Sequence, residues 1–131
     1  MGWFWVFVLT KHRNWTELVV WQASHEFVLS LHGFLKALPT EERFALTDQL
    51  RRASYSIPAN IVEGHSKASL KDFNKFLYIS RGSVEEVKYF ILLSKDLEYL
   101  SEETYIQFTE KLSKIGSMLN NLIASNKKGM V

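Results

Sequence analysis

The sequence predicts an all-α fold, an antiparallel up-down-up-down four-helix bundle, and three observations carry that expectation. Apolar residues recur at three-to-four spacing through four separate segments, the pattern of one buried face per helix. Capping residues, prolines and glycines punctuate the chain between those segments. Strand-like alternation is absent beyond the first nine residues. Helices joined by short loops lie antiparallel to their neighbours, which gives the bundle topology. At 131 residues the chain is expected to form one domain, and 47% apolar content, with 14% aromatic, suffices for one bulky core.

The first helix is expected over residues 16–37. Thr16 is placed to cap it, and Leu18, Trp21, Val28, Leu31, Leu35 and Leu38 make its apolar face. Pro39 stops it. A second helix begins with Thr40 as cap and with Glu41 and Glu42 in the first turn, where carboxylates complement the helix dipole. It carries Phe44, Leu46, Leu50, Ala53, Ile57 and Ile61 and ends at Gly64, a C-terminal stop. Ser69 to Asp72 reads as a capping box with Asp in the acidic slot. The third helix then runs to Glu98 through Phe73, Phe76, Leu77, Val84, Val87, Phe90, Ile91 and Leu97. Gly82 interrupts it; mid-helix glycine costs about 1 kcal/mol against alanine, so it is read as a close helix–helix approach. Ser101 caps the fourth helix, which has the cleanest core spacing: Tyr105, Phe108, Leu112, Ile115, Leu119 and Leu122. Asn126 to Gly129 ends it.

The most distinctive stretch runs from Leu50 to Gly64. Pro58 sits inside a helical pattern, with Arg51 and Arg52 on one side and Asn60, Glu63 and Gly64 on the other. An interior proline costs a helix about 3 kcal/mol or more, through a lost hydrogen bond and a ring clash. A kink near Pro58, supported by the rest of a bundle, is therefore expected.

Composition excludes several classes of function. With no cysteine, disulfides and thiolate metal sites are ruled out, which fits a reducing, cytoplasmic location. The apolar run from Trp3 to Leu9 is too short for a membrane span of about 20 residues. It also lacks the flanks of a secretory signal. Residues 1–13 are read as an N-terminal apolar extension outside the domain, with an arm that docks on a partner or a membrane surface as the functional alternative, and residues 14–128 as the bundle.

Charge is more informative by segment than in its net value of +2. Residues 51–81 hold Arg51, Arg52, Lys67, Lys71, Lys75 and Arg81 against Glu63 and Asp72. Residues 82–110 are strongly acidic, and residues 111–131 hold four lysines and no acid. Folding the chain up-down-up-down gathers Lys11, Arg13, His65, Lys67, Lys71, Lys75, Lys127 and Lys128 at one pole. Glu41, Glu42, Asp96, Glu98, Glu102 and Glu103 gather at the other. Helix dipoles account for Lys127, Lys128 and Glu102. They do not account for Lys71 and Lys75 at the start of a helix, whereas phosphate binding would.

The residue patterns of several chemistries are missing. None of the eleven glutamates is followed three residues later by a histidine, as a di-iron bundle requires. A His-Glu-x-x-His zinc motif and a phosphate-binding glycine loop are also absent. No cofactor or metal is expected. His25 and His32, seven apart, are read as a partly buried pair rather than as ligands. Glu63 is read as structural, pairing with an arginine or accepting bonds from backbone freed near Pro58, with a catalytic carboxylate as the alternative. Trp21 is assigned to the core. Tyr55, Tyr78 and Tyr89 are suited either to a subunit interface or to stacking on bases.

The chain resembles the four-helix-bundle family typified by proteins encoded within intervening sequences of bacterial 23S rRNA genes. The resemblance covers residues 14–126. It rests on Leu18 to Glu26, Phe44 to Ala53, Ser56 to Gly64, Phe76 to Ser83 and Asp96 to Leu100. It implies a ring-shaped homopentamer and no enzyme activity. The family is similar in fold to accessory proteins of diversity-generating retroelements, basic pentamers that bind template RNA and a reverse transcriptase. The expected function is a non-enzymatic oligomer that binds structured, rRNA-like RNA through Arg51, Arg52, Lys67, Lys71, Lys75 and Arg81. The alternative is a protein–protein accessory subunit, such as a reverse-transcriptase partner. An enzyme using Asn60 and Glu63 is the third reading.

Overall fold

Four α-helices, with no strand, make up most of residues 14–130, the part of the chain that the computed structural model describes. They are α1 (Val19–Leu35), α2 (Leu46–His65), α3 (Leu70–Asp96) and α4 (Glu102–Gly129). The sequence-read extension at residues 1–13 lies outside the described residues. The apolar periodicity lands in large part where it was expected: Leu31, Leu50, Leu77 and Leu112, one from each helix, are all 0% exposed. Leu97, expected on the third helix's apolar face, is instead exposed at the cap beyond α3, and the buried Phe27 and Ile123 were not singled out. Each full burial contributes about 1.5–3 kcal/mol relative to an exposed side chain.

Cross-helix contacts establish the antiparallel order. Ser80 Oγ donates to the Ile57 carbonyl at 2.8 Å, while Ser83 pairs with Ser56, so α3 rises as α2 falls. Asn74 bonds to Asn126, and Arg81 to Asn120, which fixes α3 against α4 in the same sense. The rings of Phe27 and Phe34 on α1 both pack edge-on against Phe108 of α4.

The start of the first helix differs from expectation. Asn14 Oδ1 accepts the Thr16 N–H at 2.9 Å and caps a short 3-10 turn, Trp15–Glu17. Leu18 is then extended, and α1 begins at Val19. Thr16 is therefore inside a turn and caps nothing, because the longer-reaching Asn14 takes that role two residues earlier. Trp21 is half-buried at the rim, edge-on to Trp15 and stacked on His25.

The second helix also begins late. Thr40–Glu42 is a separate 3-10 turn, and α2 starts at Leu46. Phe44, expected on the apolar face, is 86% exposed under the Arg43 guanidinium. Leu46, Leu50, Ala53, Ile57 and Ile61 define the buried stripe, and Phe44 lies before the N-cap Ala45, in the turn that leads into α2, where the helical period does not apply.

Pro58 stands inside an unbroken α2. The missing N–H leaves the Ser54 carbonyl without its helical donor, and neighbouring side chains reinforce the turn. Asn60 Nδ2 donates to the Ser56 carbonyl at 2.8 Å and to Ser56 Oγ at 2.9 Å. Gly64, one turn on, is the site of closest approach: a Cβ there would lie 2.8 Å from Phe76 Cβ and 3.1 Å from the Phe73 carbonyl. Gly82, read as the close approach, has no described atom within 4 Å of where a Cβ would stand.

The caps of α3 and α4 follow the sequence. Ser69 Oγ accepts from the Asp72 N–H and Ser101 Oγ from the Thr104 N–H, each at 3.1 Å. At the end of α3 the Glu98 N–H bonds to the Lys95 carbonyl and the Tyr99 N–H to the Ser94 carbonyl. That is a Schellman motif, and it holds Glu98 at φ 64°, a position glycine usually occupies.

Candidate nucleic-acid interface

One pole of the bundle collects the end of α2, the start of α3 and the end of α4. A Cβ on Gly129 would lie 2.7 Å from Leu70 Cδ1, so the last turn of α4 abuts the first turn of α3. Two buried bonds fix the register of this seam. Asn74 Nδ2 donates to the Ile123 carbonyl at 3.2 Å, and Asn126 Nδ2 donates to Asn74 Oδ1 at 2.9 Å. Buried amides that satisfy each other in this way discriminate against a slipped helix, which would leave them unpaired.

That register sets the cations. Lys71 and Lys75 stand exposed on successive turns of α3, and Lys127 and Lys128 stand exposed on the last turn of α4. Lys67, in the α2–α3 link, lies over the Phe76 ring, 5.1 Å from its centroid. Tyr78 receives two cations, the Arg81 guanidinium at 4.8 Å and Lys127 Nζ at 5.7 Å from its ring centroid. Arg81 is held further by Asn120, whose Oδ1 accepts from a guanidinium nitrogen at 3.0 Å. Lys71, Lys75, Arg81, Lys127 and Lys128 form no ion pair with any described residue. The nearby carboxylates Glu63 and Asp72 are exposed and also form none. Cations left without carboxylates on one surface are the electrostatic requirement for holding phosphates.

The structure divides the six cations singled out from sequence. Lys67, Lys71 and Lys75 lie at this pole and Arg81 continues the row along α3. Arg51 and Arg52 lie in the first half of α2, fourteen residues before its end, hence about 20 Å away along the axis. Arg52 also approaches Asp48 at 4.0 Å. Lys11 and Arg13 lie outside the described residues. Sequence reasoning did not single out Asn74, Asn120 and Asn126. Asn74 and Asn126 had one signal, a polar residue on an otherwise apolar helical stripe, and the exposed Asn120 had none.

Around Pro58, the Asn60 amide is committed to Ser56, and the Glu63 carboxylate is exposed without an arginine partner. His25 and His32 are both exposed rather than partly buried. No cluster of potential metal ligands occurs among the described residues. A groove of about 230 Å³ between α1 and α4 is lined by Ala23, Glu26, Phe27, Lys111, Lys114, Ile115 and Met118. It is smaller than the roughly 300–1,000 Å³ of small-molecule sites. No described helix is long and apolar enough to cross a membrane.

Comparison with known proteins places this geometry in context. The family model for the 23S rRNA-intervening sequence protein matches residues 16–121. No curated protein matches the chain. Among solved structures, the chain is similar to a protein of unknown function from the S23 ribosomal protein family of Bacteroides thetaiotaomicron. The two share 30% identity and a TM-score of 0.75, over 80% of this chain and 98% of that one.

Proposed function

The chain belongs to the 23S rRNA-intervening sequence protein family, and from that premise we propose that it is a non-enzymatic, cytoplasmic homo-oligomer that binds structured RNA through its basic pole. The supporting observation is the set of exposed cations at that pole, Lys71, Lys75, Lys127 and Lys128, with Arg81 further along α3, none of them in an ion pair with a described carboxylate. Lys67 extends the same surface. In a ring-shaped pentamer, the assembly implied by the family resemblance, the patch is repeated around the axis. Repetition converts a modest affinity for a polyanion into avidity. Arg51 and Arg52 then form a second, separate contact zone.

The test is light scattering after size exclusion at low salt, with absorbance read at both nucleic-acid and protein wavelengths. The expected result is a fivefold mass with excess nucleic-acid absorbance that disappears at high salt, as counterion release requires. A pentamer free of nucleic acid that co-purifies with a protein after nuclease treatment would replace this reading with an accessory subunit, such as a reverse-transcriptase partner. A monomer without bound nucleic acid would overturn both the ring and the RNA reading.

A further inference from the structure

Three exposed tyrosines were open to either burial or stacking, and their surroundings distinguish them. Tyr55 and Tyr89 are 43% and 57% exposed and receive no cation from a described residue. Tyr78, 38% exposed, lies in the basic seam between α3 and α4 with Arg81 and Lys127 against its ring. We propose that this seam is a station for an unpaired RNA nucleotide, with the base stacked on the Tyr78 platform and the adjoining phosphate held by Arg81 and Lys127.

The argument begins with Arg81. A guanidinium carries five N–H donors in a planar fork. Asn120 accepts one contact and the Tyr78 ring restrains the plane, so the remaining donors are oriented before any ligand arrives. No described carboxylate competes for them. Charge-assisted bonds to a phosphate are stronger than a cation–π contact, so Lys127 gains by turning toward a phosphate at the rim of the ring, while Arg81, held by Asn120, meets that phosphate with its remaining donors. The ring is then left available to a base. Lys75 and Lys71, one and two turns back along α3, continue the row of positive charge toward the pole.

The same geometry selects unpaired nucleotides. In an A-form duplex the bases are stacked inside and the major groove is too narrow for side chains to read. A tyrosine on a convex helical surface cannot reach them. A loop or single strand can splay a base onto the ring, whereas a duplex meets only the cations. The seam therefore adds selectivity to the RNA-binding function proposed above, on which this inference rests.

The test measures the full chain binding to a labelled oligoadenylate and to a blunt RNA duplex of equal length, by fluorescence anisotropy at low salt. Tyr78→Ala should weaken single-strand binding by about tenfold or more, the usual loss of one stacking partner, and leave duplex binding unchanged. Tyr78→Trp should restore it, and Arg81→Gln should lower it with the ring intact. Circular dichroism melts of each variant establish that the bundle is folded. If Tyr78→Ala weakens single strand and duplex alike, or neither, the stacking station is wrong while the RNA-binding pole stands. If the wild-type chain binds neither RNA at low salt, both readings fall.

Discussion

The two poles of this bundle carry opposite charge, and they treat it differently. At the acidic pole part of the charge is used within the fold: Lys95 pairs with Glu102 at 3.7 Å and lies over the Tyr105 ring, and the Tyr99 hydroxyl donates to Glu42 Oε2 at 2.8 Å, while Glu41, Asp96, Glu98 and Glu103 form no ion pair with a described residue. At the basic pole Lys67, Arg81 and Lys127 lie against aromatic rings, and Lys71, Lys75, Arg81, Lys127 and Lys128 form no ion pair with a described carboxylate. Helix dipoles favour acids in the first turn of α4 and lysines in the last. They oppose Lys71 in the first turn of α3. The dipole therefore does not account for Lys71, and the proposed RNA-binding role does.

The comparison breaks most readily by neutralising one pole at a time. Lys71→Gln, Lys75→Gln and Lys127→Gln together should lower RNA affinity by about a hundredfold and remove about two units from the log–log salt slope. Glu41→Gln, Glu102→Gln and Glu103→Gln together should change RNA affinity little. α3 spans 27 residues, about 40 Å, between the poles, several times the Debye length of about 10 Å at 0.1 M salt. Equal effects from the two triple variants, in a filter-binding titration, would mean that net charge rather than the basic pole drives binding.

Packing differs between the poles as well. Gly64→Ala, next to the basic pole, sets a Cβ against Phe76 and the Phe73 backbone, and should cost about 1–3 kcal/mol in urea denaturation. Gly82→Ala in mid-helix meets open space and should stabilise a lone protomer by up to about 1 kcal/mol. If Gly82→Ala instead lowers the assembly's mass, the glycine faces a neighbouring subunit. Glu98→Gly at the acidic pole relieves a left-handed glutamate. It should raise stability by up to about 1 kcal/mol, offset in part by the extra freedom of glycine when unfolded.

The smallest effect is spectroscopic. The hydrogen bond to Glu42, reinforced by slight desolvation and by the Glu42 and Glu41 charges, raises the Tyr99 pKa above the ordinary tyrosine value. The bond is made by the neutral phenol, so its contribution to stability is full below about pH 10. It is lost as pH rises through the raised value. In an ultraviolet titration Glu42→Gln should move the ionisation of Tyr99 to lower pH than in the parent chain, seen in the difference between the two curves.

Legibility differed from one element to the next. Ser69 and Ser101 were readable as caps because their hydroxyls act on amides three residues away. The core of α4 was readable because its period is regular. Phe44 was misread because the helical period was extended past the start of α2, into a turn. Gly82 was misread because a glycine in a sequence does not say what faces it; Gly64, treated as a stop, is pressed against another helix, as is Gly129. Of the candidate site, the cations were visible as a charge run, but which of them converge was not.

By itself the sequence determined four amphipathic helices, their order and their antiparallel return, since helical period and short connections are local properties of the chain. Tertiary structure alone decided that Lys127 meets Tyr78 and that Arg81 meets Asn120. Those relations depend on the register of α3 against α4, which the buried Asn74–Asn126 pair and the Asn74 bond to Ile123 hold in place. Residues about fifty positions apart in the chain become neighbours only when burial makes an unpaired amide too costly to leave.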